Sequence, residues 1–191
     1  MAEPFPIPRS SWTNTIRRWR TETSRRLRRY LLLALGACAA VALPGLVRPA
    51  PRLVWNASPS MPIGLYAVSP GTTPHRGDFV VAWLPKAVRA LAAARRYLPV
   101  TVPLVKRVGA VARDRVCASG EAILINGVKV ARRLRQDARG RPLPSWTGCR
   151  ILRREEIFLI SADRPDSFDS RYFGPILRNQ LVGTARPIWT R

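Results

Sequence analysis

From residue 64 onward the apolar positions come in short runs: Gly64–Val68, Phe79–Trp83, Leu104–Val111, Ala122–Ile125, Val128–Val130, Ile157–Ile160 and Leu181–Ile188. Runs of this length, rich in Val, Ile and Leu and divided by Pro- and Gly-containing stretches, predict strands. Asn126-Gly127 between two of them predicts a type I′ hairpin, and Asp137-Ala138-Arg139-Gly140 reads as a turn. One segment has helical composition, Lys86–Leu98, which begins after Pro85 and ends at Pro99. No internal repeat interrupts the pattern. It predicts a mainly β fold, an antiparallel β domain with one inserted helix.

A different pattern lies upstream. Tyr30 to Val47 runs 18 residues without a charge. At about 1.5 Å per residue such a helix spans roughly 27 Å, close to the ~30 Å hydrocarbon core of a bilayer. A buried soluble helix is the alternative, but seven Arg in the thirteen residues before the run argue against it. The positive-inside rule then makes residues 1–29 a basic cytoplasmic tail, 30–47 a single-pass transmembrane anchor and 48–191 an exported domain. Ala40-Val41-Ala42 fits a signal-peptidase cleavage site. The long basic segment before it and the continuation of the apolar run favour a retained anchor.

Composition narrows the chemistry. The chain of 191 residues is 47% apolar, which excludes wholesale disorder despite a net charge of +22. Residues 48–191 hold 25 basic and nine acidic residues, scattered rather than gathered on one face and with few aromatics interleaved. That favours a solvated basic surface near anionic headgroups over a nucleic-acid interface. Three Cys and one His exclude most zinc architectures, and no metal or cofactor is expected. Cys117 and Cys149 fall in the exported domain, where two thiols more often pair than stay free, so a bridge is favoured. The sole histidine, His75, lies in a turn-like Gly71–Gly77 segment, so the usual activating base for a nucleophile is nearly absent.

A serine can instead be activated by a neutral lysine amine, provided burial strips the ammonium of its solvent. Only three lysines are available. Lys86 opens the Ala-rich helix and Lys129 follows the Asn-Gly turn, both expected to be exposed. In Pro103-Leu104-Val105-Lys106-Arg107-Val108, strand alternation places Lys106 with Leu104 and Val108 and turns Arg107 to the other face. Lys106 suits a desolvated base, although this pattern alone leaves a surface lysine on an edge strand equally open. Ser60, in Ser58-Pro59-Ser60-Met61-Pro62-Ile63-Gly64, is the candidate nucleophile. Two prolines hold it in a turn that can present its hydroxyl and backbone N–H groups as an oxyanion hole requires. Taken alone, a serine between prolines is most often a turn residue.

Taken together, Ser60-Met61-Pro62, Arg76-Gly77-Asp78, Lys106-Arg107-Val108 and Asp169-Ser170-Arg171-Tyr172-Phe173-Gly174 resemble, in order, the boxes of type I signal peptidases. The form Ser-Met-Pro-x-Gly-Leu-Tyr is similar to the TraF branch, the conjugative-transfer peptidases that process pilin precursors, and the resemblance covers about residues 53–191. It implies a signal-peptidase-like β domain with Ser60 as nucleophile and Lys106 as general base. It gives Ser58 an oxyanion-assisting role, held against Pro59, which replaces a glycine and lacks a backbone donor. It also makes Asp169 a required residue paired with Arg171 behind the lysine strand, Ser167 the residue orienting the amine, and Asp78 structural. The implied substrate is a prepilin, or another signal-peptide-bearing protein, cut beside the membrane and possible to cyclise, with type IV secretion components as further partners. The implied location is the inner membrane with a periplasmic catalytic domain. A general leader peptidase is the alternative inside the family. A non-catalytic assembly component is the alternative outside it, against which intact Ser60, Lys106 and Asp169 count.

Overall fold

The computed structural model describes residues 26–42 and 50–191. Residues 26–42 form a helix, α1, carrying three arginines followed by Tyr30 to Ala42 of the apolar run. The expected cytoplasmic tail up to residue 25, the end of the expected anchor (43–47) and the stretch after Ala42 lie outside the described residues. Among the described residues no helix is long and apolar enough to cross a membrane.

Residues 50–191 form a unit of their own. In chain order its strands are β1 (Leu53–Asn56), β2 (Gly64–Pro70), β3 (Phe79–Ala82), β4 (Leu104–Ala110), β5 (Arg115–Ser119), β6 (Ala122–Ile125), β7 (Val128–Arg132), β8 (Gly148–Ile151), β9 (Glu156–Ile160), β10 (Ile176–Leu177) and β11 (Leu181–Thr190). The helix α2 (Lys86–Ala94) is inserted between β3 and β4, and a single turn, α3 (Ser170–Phe173), follows β9. Seven strands make one sheet in the order β1-β2-β11-β3-β4-β9-β10, and four make a second in the order β7-β6-β5-β8. Every described pairing is antiparallel. The mainly β fold expected from the short apolar runs is the fold observed.

Three apolar clusters hold these sheets. Strand β9 is buried at all five positions because its two faces serve different clusters. Ile157 and Leu159 pack with Val80, Leu104 and Val108, whereas Phe158 and Ile160 pack with Val116, Ile123 and Ile125 of the small sheet. A strand covered on both faces reads as a continuous apolar run, and Ile157–Ile160 does. The third cluster joins Met61, Tyr66, Val68, Val81 and Val105 beneath the loop that carries Ser60. In the β6–β7 hairpin, Asn126 and Gly127 both take positive φ (51° and 85°), as a type I′ turn demands. Cys117 and Cys149 face each other across β5 and β8 and are disulfide-bonded, with Cα atoms 4.0 Å apart.

Most of the expected strands shift by one or two residues at one end, and two of the shifted boundaries have a visible physical cause. Helix α2 stops at Ala94 rather than Leu98, because Arg96 enters the left-handed region (φ 59°) and the chain turns. Tyr97 is thereby brought onto the ring of Phe168 (centroids 5.1 Å apart), and tertiary packing ends the helix before Pro99 can. Strand β11 extends to Thr190 through Pro187, which a central strand would exclude. Its pairing with β3 ends at Ala185, so Pro187 lies where only β2 is a partner and the register shifts.

Candidate active site

The site begins in the loop joining β1 to β2. Asn56 and Gly64 are paired in register at its base, and the residues between them are wound around the Asn56 side chain. Its Nδ2 donates to the carbonyls of Ser58 (2.9 Å), Met61 (3.1 Å) and Pro62 (3.0 Å), and its Oδ1 accepts from the Ser58 N–H (3.2 Å). The buried Tyr66 hydroxyl donates to the Pro62 carbonyl as well (2.8 Å). With Pro59 and Pro62 fixing two φ angles, little freedom remains in the loop. Gly64 closes it: a Cβ there would lie 2.0 Å from the carbonyl oxygen of Trp189 in β11, and its φ of 153° is one that side-chain-bearing residues rarely adopt. Asn56→Ala would strand buried carbonyls. It is expected to cost about 2 kcal/mol, read as a lower melting temperature of the full chain.

The loop presents Ser60 to Lys106. Strand β4 alternates as the sequence suggested, with Leu104, Lys106 and Val108 buried on one face and Arg107 exposed. Lys106 is only 4% exposed and lies opposite Val80 of β3. Its Nζ is 2.7 Å from Ser60 Oγ, 2.6 Å from Ser167 Oγ and 3.3 Å from Ser161 Oγ. Burial, first of all, brings the amine down from 10.5 to about 8; Arg171 adds to this, while Asp169 and Asp166 oppose it. The edge-strand alternative is thereby excluded, since β4 is flanked by β3 and β9. Lys86 and Lys129 are exposed, as expected.

Behind the amine, Asp169 and Arg171 are both completely buried. Arg171 Nε and Nη2 donate to Asp169 Oδ1 and Oδ2 at 2.8 and 3.0 Å. The guanidinium also donates to the carbonyls of Arg132 (3.0 Å), Pro165 (3.2 Å) and Ser161 (2.6 Å). Asp169 caps α3 through the Arg171 N–H and accepts from the Ser161 N–H (3.0 Å). Among the described residues no hydrogen bond or ion pair joins Asp169 to Lys106. Ser58 Oγ lies 2.9 Å from Ser60 Oγ and accepts from the Ser60 N–H (3.4 Å). Asp78 accepts from the His75 N–H (2.8 Å), while the Gly77 N–H and the Asp78 carbonyl bond to Val108, which ties that turn to β4.

Two residues of this arrangement were missed in the sequence. Asn56 is the last residue of a strand too short to leave an apolar pattern. Ser161 follows an apolar run and resembles any serine ending a strand; only the third dimension puts it beside an amine 55 residues away.

A loop serine resting on a buried lysine amine, backed by a buried Asp–Arg pair on an antiparallel β fold, is a Ser-Lys arrangement. The chain belongs to the S26 family of signal peptidases: the family described as signal peptidase, peptidase S26, matches residues 24–190. It is similar to a plasmid transfer protein TraF of Escherichia coli, 32% identical over 175 residues, spanning 86% of this chain and 97% of that one. A conjugal transfer protein TraF of Agrobacterium fabrum is 32% identical over 149 residues, spanning 71% of this chain and 81% of that one. Among solved structures, a signal peptidase I of Enterococcus faecalis matches 59% of this chain and 97% of that one, at 18% identity and a TM-score of 0.34.

Proposed function

We propose that this chain is a membrane-anchored serine endopeptidase that processes a conjugative prepilin beside the membrane. The observation that carries the reading is the 2.7 Å approach of Lys106 Nζ to Ser60 Oγ in a buried setting. Ser60 Oγ attacks the scissile carbonyl while its proton passes to the neutral amine of Lys106. The oxyanion is met by the Ser60 N–H and the Ser58 hydroxyl, and the resulting ammonium returns the proton to the departing amine. Water, or the amino terminus of the substrate itself, then attacks the acyl-enzyme, giving a linear or a cyclised product. The plasmid and conjugal transfer roles named for the TraF relatives support a transfer-system substrate over general leader processing.

The anchor is part of the proposal. Leu31, Leu32, Leu33, Leu35 and Val41 are all exposed on α1, and a helix apolar on every side finds its burial in lipid. The arginines before it favour a cytoplasmic amino terminus, with residues 48–191 on the periplasmic side of the inner membrane. The test is intact mass of the candidate prepilin co-expressed with wild-type protein or with Ser60→Ala. Wild type is expected to shorten it and Ser60→Ala to leave it whole. A product lighter by one water than the linear fragment identifies cyclisation. Equal precursor mass in both strains would remove this substrate.

A further inference from the structure

Ser161 stands one residue beyond β9, 1% exposed, and the one hydrogen bond of its hydroxyl among the described residues is with Lys106 Nζ. Its main chain is fastened on both sides, the N–H to Asp169 Oδ2 (3.0 Å) and the carbonyl to Arg171 Nη2 (2.6 Å). It is therefore where the buried ion pair meets the lysine. A neutral amine has two N–H bonds and one lone pair, and three hydroxyls surround this one: Ser60, Ser167 and Ser161. When Ser161 and Ser167 accept the two N–H bonds, the lone pair is left for the O–H of Ser60, the direction in which a base must receive its proton. With Ser161 Oγ removed, one N–H has no acceptor. The amine then gains by rotating to donate to Ser60 Oγ, which turns the lone pair away.

Resting on the Ser60–Lys106 reading, we infer that Ser161 is a positioning residue that fills the second N–H of the neutral Lys106 amine, aims its lone pair at Ser60 and passes the rigidity of the Asp169–Arg171 pair to the base. The charged groups acting on the amine are Asp169, Arg171 and Asp166. Ser161→Ala leaves all three in place, because the bonds from Ser161 to Asp169 and Arg171 are made by its main chain.

The chain has three lysines, so 13C-lysine labelling of the full chain in detergent micelles gives three Cε resonances, and Lys106→Arg assigns the one of interest. Wild-type Lys106 is expected to titrate near 8, well below the ordinary lysine value. In Ser161→Ala it is expected to titrate lower still, because an ammonium loses more than an amine when an acceptor is removed. Acylation of Ser60 by p-nitrophenyl acetate, read by intact mass against a Ser60→Ala control and at a pH above both titrations, is expected to slow about tenfold. Ser161→Cys, close in volume and a poor hydrogen-bond partner, repeats both measurements should the alanine variant fold badly. Unchanged titration and acylation in these variants, with wild-type Lys106 still low, would overturn the role of Ser161 and leave the Ser-Lys reading standing. A wild-type Lys106 that titrates at the ordinary lysine value would overturn both.

Discussion

Lys106→Met is expected to slow acylation of Ser60 by about a thousandfold or more while making the fold more stable at neutral pH. The first half follows from removing the base that rests on Ser60 Oγ. The second follows from burial, which brings the amine from 10.5 to about 8. That lowering corresponds to about 3 kcal/mol of destabilisation while the amine is charged. Between about pH 8 and 10.5 the unfolded chain binds the proton and the native one does not, so stability rises with pH across that window. Below it the full penalty persists. Methionine carries no such penalty but leaves three serine hydroxyls without the amine, so the net gain is nearer 1–2 kcal/mol. Melting temperatures at pH 7 and pH 10 check this: the advantage of the variant should be clear at the first and shrink at the second. Wild-type acylation should follow the neutral amine, about a tenth of its plateau at pH 7 and rising about tenfold per pH unit below that. A variant that melts below wild type at pH 7, or that keeps the wild-type pH limb, contradicts this account.

Breaking the pair behind the lysine is expected to cost about 3–5 kcal/mol whichever partner is removed, a large share of the ~5–15 kcal/mol that holds an ordinary domain together. Asp169 and Arg171 are both wholly buried, so Asp169→Asn leaves a guanidinium, and Arg171→Met a carboxylate, without its counter-charge. The two variants should melt earlier in the same way yet move the activity profile in opposite directions. Asp169 favours the charged form of Lys106 and Arg171 disfavours it. Removing the carboxylate therefore lowers the amine further and moves the rising limb of acylation below about pH 8, whereas removing the guanidinium moves it above. Limbs that stay together in both variants would show that the pair supports the fold without tuning the base.

The part of the site written along the chain was legible from alternation and local rigidity. Lys106 could be separated from Lys86 and Lys129 because a strand places every second residue on one face, and Leu104 and Val108 shared its face. Ser60 stood out through its prolines. Strand β8 could not be found this way: all four of its residues are exposed, so it has no apolar pattern and is held by pairing to β5 and by Cys149. Strand β5 turns only Val116 and Ala118 inward, too few to mark a period. Asn56 and Ser161 were invisible for another reason. Each acts through polar contacts, Asn56 within a folded-back loop and Ser161 across two strands, and a polar side chain carries no sign of which buried partner it will meet. The early end of α2 was likewise decided by the ring of Phe168, far away in sequence.

The order of the large sheet has a consequence for biogenesis. Strand β11, the last of its strands to be synthesised, takes a central place between β2 and β3. The loop bearing Ser60 leads into β2, and β3 pairs with the strand bearing Lys106. Until residues 181–190 arrive, the two halves of the sheet lack the strand that pairs with both. A nascent chain that stops short of this strand would thus carry both Ser60 and Lys106 and still lack the pairing that joins their two halves of the sheet. Assembly this late, through contacts distant in sequence, is slow, and it delays the completed sheet until its last strand has been made.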